Sequence, residues 1–113
     1  MEERRKHPRF ETLNLIYYVV RGDGSYLTQD MGRTLDASER GLLMETRTPL
    51  VEGLQIQMDI GLADTILNLT GVVIYSRMEE TGMYLSGIEF DSMDADNRHQ
   101  LMEYLEQFSP EKP

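Results

Sequence analysis

A chain of 113 residues and 13.1 kDa has room for one domain, because compact domains most often run to roughly 100 to 150 residues. Hydrophobic residues at 40% and charged residues at 27% describe a folded chain, and the absence of cysteine excludes a disulfide scaffold, a thiolate metal site and a cysteine nucleophile. The net charge of -9 argues against coating duplex nucleic acid or inserting into an anionic membrane, since both surfaces demand many Lys and Arg.

The positive charge is local. Arg4, Arg5, Lys6 and Arg9 crowd the first nine residues, whereas from Met78 to Pro113 nine acids face only Arg98 and Lys112. Pro8 biases its predecessor toward extended backbone, which predicts a flexible basic arm over residues 1–9 rather than a helix. A domain over 10–109 and a tail over 110–113 complete the expected organisation. The apolar run Leu15 to Val20 is too short to cross a bilayer, which takes about 20 residues, and no cleavage-like segment follows it. A cytoplasmic location is the expectation.

Leu13 to Arg21 reads as a strand, rich in Tyr and Val and apolar on both faces, and Gly22-Asp23-Gly24-Ser25 supplies hairpin chemistry. The return strand is expected over Tyr26 to Leu35, irregular at Gly32, and Gly41 to Thr46 reads as the next strand. Between them Asp36 to Arg40 forms a tight connection. Leu54, Ile56, Met58 and Ile60 alternate with Gln55, Gln57 and Asp59, the period-two pattern of a strand with one buried face. Turns at Gly61 to Asp64 and at Glu79 to Gly82 bound a long strand, Thr65 to Arg77, and lead into Met83 to Phe90. Repeated hairpins predict a mainly β chain whose six-stranded antiparallel sheet curls into a small barrel, because closure removes exposed edges. The tail changes period: Leu101, Leu105 and Phe108 recur at helical spacing, with Asp94 and Asp96 placed to cap the start and Pro110 to stop the end. One C-terminal amphipathic helix packed on the barrel or across its mouth is expected.

Catalysis finds little support. His7 and His99 offer no base and nucleophile pair and no spaced metal partner, and no Gly-rich phosphate loop is present. A single-stranded nucleic-acid barrel wants a groove both aromatic and basic, which this charge distribution lacks. Nine of the eleven basic residues are arginine, the side chain that grips phosphate or a guanine edge in two-pronged fashion, so a small anionic ligand fits best.

Two stretches could hold it. Arg5 and Arg9 lie four apart at the entry to the first strand, and Asp36-Ala37-Ser38-Glu39-Arg40-Gly41 follows between two strands. Alone, the first reads as a solvated tail and the second as a turn in which Asp and Ser bond local backbone. Together, in this order, Arg5-x-x-x-Arg9 and Asp36-x-Ser38-x-x-Gly41 resemble the PilZ domain family of bacterial cyclic di-GMP receptors, and the likeness extends to Gly87-Ile88-Glu89-Phe90 and the terminal helix. The resemblance implies a six-stranded split barrel that is not an enzyme and takes cyclic di-GMP as ligand, with no cofactor. It implies that Arg5 and Arg9 grip phosphates and guanine edges, assisted by Arg4, and that Asp36, Ser38 and Gly41 form the pocket wall. A downstream protein partner would receive the signal. The alternative within the same family is a ligand-independent interaction module of motility or pilus assembly.

Overall fold

The computed structural model describes residues 10–11, 14–22, 25–61 and 65–107. Seven strands and one helix follow one another: β1 (Phe10–Glu11), β2 (Leu15–Gly22), β3 (Ser25–Ala37), β4 (Gly41–Thr46), β5 (Gln55–Gly61), β6 (Ile66–Met78), β7 (Tyr84–Phe90) and α1 (Ala95–Glu106). Every pairing is antiparallel, in the order β3-β2-β5-β6-β7-β4, and β4 pairs back onto β3. The sheet is therefore a closed six-stranded barrel, which leaves its long strands without an open edge. β1 is an addition to the six expected strands. Its two residues pair with the far end of β3, Phe10 with Ala37 and Glu11 with Asp36.

Alternation along each strand fills the interior. Ile16, Tyr18 and Val20 of β2, Ile56, Met58 and Ile60 of β5, and Leu67, Leu69 and Val73 of β6 all enter the core. Of the two apolar faces of β2 only one is consistently buried: Leu15 is 67% and Tyr17 39% exposed. On the outward row Leu15 and Tyr17 meet solvent, while Val19 is covered at 8% exposed.

The irregularity expected at Gly32 sits three residues later. Gly32 pairs in register with Ile16, while the β3–β4 ladder slips between Thr34 and Asp36, leaving Leu35 as the extra residue. β3 also runs on to Ala37, so the connection is only Ser38 to Arg40. A second slip between β6 and β7 leaves Ile74 extra, and a third lies between Val20 and Arg21 of β2.

The helix is anchored at both levels expected of it. Asp94 caps it by accepting a bond from the Asn97 N–H at 2.8 Å, and Leu101, Tyr104 and Leu105 are buried in the barrel's core. The Tyr104 hydroxyl donates to Asn14 Oδ1 at 3.0 Å, while the Asn14 backbone exchanges bonds with Thr34. The helix thus closes the end of the barrel at which β2 begins. Phe108 and Pro110 lie outside the described residues. No helix among the described residues is long and apolar enough to cross a membrane.

β4 and β7 approach so closely that a Cβ on Gly41 would lie 2.1 Å from the Ile88 carbonyl oxygen. Gly61, at the end of β5, has open space where its Cβ would be. Gly41→Ala is expected to cost about 1 to 3 kcal/mol by overpacking, whereas Gly61→Ala stays within about 0.5 kcal/mol. Equal melting temperatures for the two variants would contradict the close approach. Leu101→Ala should cost about 2 to 5 kcal/mol, as burial of the helix face in the core requires; a urea midpoint like that of the parent chain would show the helix to be peripheral.

Candidate functional site

The turn between β3 and β4 is held by local chemistry. Ser38 Oγ accepts from the Arg40 N–H at 3.2 Å, and the Ser38 N–H donates to the Gly41 carbonyl at 2.8 Å. The Phe90 N–H donates to the Arg40 carbonyl at 2.9 Å, which fastens the turn to the end of β7. Ser38 is thus a buried, bonded turn residue, a use that serine's short hydroxyl favours.

The slip at Leu35 decides where Asp36 points. Thr34 faces Met44 and Ala37 faces Leu42, all four buried, so both sides of the slip keep their inward partners. Asp36 pairs with Leu43, on the outward row of β4 that also carries Gly41. Without the extra residue Asp36 would follow Thr34 inward; with it, Asp36 takes the outer row of the strand, where it is still largely covered at 7% exposed. Such re-aiming is a general consequence of bulges.

The slip in β6 does the same for an apolar wall. Val73 faces inward opposite Ile88, and Tyr75 pairs with Gly87. The extra residue, Ile74, is 46% exposed, so two consecutive large side chains serve the outside. A Cβ on Gly87 would lie 2.5 Å from the Tyr75 ring, which means the ring lies across β7 in space a side chain would fill. The Arg77 guanidinium stands 5.4 Å from the ring centroid, within cation–π range.

These pieces bound a surface cavity of about 210 Å³, lined by Ser38, Arg40, Gly41, Leu42, Leu43, Ile74, Tyr75, Gly87, Ile88 and Glu89. Of the residues singled out from the sequence, Ser38 and Gly41 line it. Asp36 does not, but it shares the outer row with Leu43, which does. Arg4, Arg5 and Arg9 lie outside the described residues. Phe10, which follows Arg9 in the sequence, pairs through its backbone with Ala37 beside Asp36.

Ile74, Tyr75 and Glu89 were not anticipated as site residues. One signal exists in the run Val72-Val73-Ile74-Tyr75, where strict alternation is lost. Among the described residues no group of three His, Cys, Asp or Glu side chains could hold a metal ion. His99 sits on the exposed face of α1, 3.5 Å from Glu103.

Comparison with solved structures finds the same fold at low identity. The Bacillus subtilis inhibitor of motility MotI/DgrA matches with a TM-score of 0.72 and 12% identity, over 94% of this chain and 51% of that one. The PilZ domain of YcgR from Escherichia coli, solved with c-di-GMP, matches with a TM-score of 0.71 and 15% identity, over 94% and 92%. MrkH of K. pneumonia in complex with c-di-GMP matches with a TM-score of 0.72 and 17% identity, over 95% and 52%. The chain therefore spans about half the length of MotI/DgrA and MrkH. No match was found among curated proteins. The model of the PilZ domain matches residues 3–107, and with the closed barrel, the terminal helix and the bonded Asp36–Gly41 turn already in place, the chain belongs to the PilZ domain family.

Proposed function

We propose that the chain is a cyclic di-GMP receptor whose basic arm closes over the outer face of the barrel at the Asp36–Gly41 turn. The observation that carries this reading is β1. Its pairing with the end of β3, Phe10 with Ala37 and Glu11 with Asp36, supports an arm that begins beside Asp36 and near the cavity. The two similar structures solved with c-di-GMP support the choice of ligand.

The chemistry is consistent with that ligand. Pockets for drug-sized molecules run to about 300 to 1,000 Å³, so a cavity of about 210 Å³ takes one base and leaves the remainder of a cyclic dinucleotide for another element to cover. Arg5 and Arg9, with Arg4 assisting, supply planar donors for two phosphates and for the O6 and N7 edge of guanine. Asp36 supplies an acceptor for the guanine N1–H and N2–H. Ile74 and Tyr75 supply an apolar wall, and stacking of a base on an aromatic ring contributes about 1 to 3 kcal/mol. No catalytic step is assigned. The signal would leave through the surface formed when the arm closes, toward a protein partner, by ordering coupled to binding.

Titration calorimetry with cyclic di-GMP tests the reading. Arg5→Ala and Arg9→Ala are each expected to weaken binding by about 10- to 150-fold, the equivalent of about 1.5 to 3 kcal/mol for a lost bond to a charged group. The melting temperature of the unliganded protein should stay nearly unchanged. Binding like that of the parent chain in either variant would remove the arm from the site, and no binding by the parent chain would favour the ligand-independent interaction module.

Base identity gives a second test. Adenine places a donor where guanine has O6 and lacks the N1–H and N2–H pair, so both the arginines and Asp36 lose partners. A buried polar group left unpaired costs about 1 to 3 kcal/mol, and the losses compound. Cyclic di-AMP is expected to bind at least about a hundredfold more weakly, and Asp36→Ala should reduce affinity for the guanine ligand far more than for the adenine one. Equal affinities for the two dinucleotides would show that phosphate charge alone is read.

A further inference from the structure

The cavity contains a carboxylate to which the receptor reading has given no task. Glu89 of β7 lines it and is exposed. In the ladder it pairs with Gly41 on one side and Val72 on the other, neither of which offers a polar side chain. Among the described residues no hydrogen bond or ion pair engages the Glu89 carboxylate. Its surroundings are otherwise those of a base site: the Ile74 and Tyr75 wall, with Gly41 and Gly87 adding no side chain of their own to the lining.

An acid at this place has opposite effects on the two parts of a cyclic dinucleotide. Beside a phosphate it repels; against the N1–H and N2–H edge of guanine it accepts charge-assisted hydrogen bonds. Its position relative to Asp36 separates the two acids. Asp36, Leu43, Gly87 and Tyr75 form one cross-strand row, and Gly41 and Glu89 lie in the row two residues away along β4. Two residues of strand advance about 6.7 Å, so the two carboxylates address separate points on the face, and the ligand brings two guanines. Building on the receptor reading above, we infer that Glu89 is a second base-reading residue, which accepts N1–H and N2–H from a guanine seated in the cavity.

The test compares the parent chain and Glu89→Gln in titrations with cyclic di-GMP and with cyclic di-IMP, at one salt concentration. Hypoxanthine keeps O6 and N1–H but lacks the N2 amine, so the pair of ligands isolates that donor. The substitution removes the charge at an exposed strand position, where the fold tolerates a glutamine. Base reading predicts that Glu89→Gln weakens cyclic di-GMP binding by about tenfold or more and narrows the preference for guanine over hypoxanthine. Simple repulsion from phosphate predicts the reverse sign, a gain in affinity. Undiminished binding of cyclic di-GMP by Glu89→Gln overturns the role of Glu89 while leaving the receptor reading intact. Failure of the parent chain to bind cyclic di-GMP overturns the receptor reading and the role of Glu89 with it.

Discussion

A strand offers its side chains to two faces in strict alternation, so one extra residue exchanges the faces for everything that follows. Around the site two such residues, Leu35 and Ile74, interrupt the β3–β4 and β6–β7 ladders. The first keeps Thr34 and Ala37 both facing inward while setting Asp36, itself buried, on the outer row. The second keeps Val73 inside and places Ile74 and Tyr75 side by side outside. Without the first bulge a carboxylate would enter an apolar barrel, where burying an unpaired charge is prohibitive. The candidate site is therefore a product of register, and the polar wall and the apolar wall are built by the same device.

Close approach does the rest. Two glycines on the outer rows of β4 and β7 make that approach possible: Gly41 permits the backbones to crowd and Gly87 gives its side-chain space to the Tyr75 ring. Bonds from Ser38 and Phe90 then hold the turn at one edge of the cavity. At the adjoining end of the barrel, Asn14 stands between two partners. Its backbone is paired with Thr34, two residues before Asp36, and its side chain accepts from Tyr104 of the helix. The segment joining β1 to β2, the site-bearing end of β3 and the helix thus share one residue.

Much of this was legible in the sequence, for identifiable reasons. The Gln55–Gly61 strand showed its buried face because each alternate residue is plainly apolar or polar. The helix showed its start because an aspartate at a cap has a specific bonding task, and the structure gives Asp94 that task. Asp36, Ser38 and Gly41 stood out as turn chemistry. The bulges did not, since an inserted residue has no composition of its own: Gly32 looked irregular because glycine often is, whereas the slip fell at an ordinary leucine. For the same reason Tyr75 passed as one more apolar strand residue, and Glu89 as one more surface acid. β1 is too short to leave any periodic signal: it has two residues, both paired with β3.

The most direct test of the central claim is a map of backbone amide chemical shifts while cyclic di-GMP is titrated into the labelled protein. The account predicts that the largest changes fall on the turn and outer rows of one face: Asp36, Ser38 to Leu43, Ile74 and Tyr75, and Gly87 to Glu89. It predicts little change on the outer face of β2, β5 and β6, at Tyr17, Gln57 and Asn68, which belongs to a different side of the barrel. Changes centred on that second face, with the Asp36–Gly41 turn silent, would contradict a receptor site built by the two bulges.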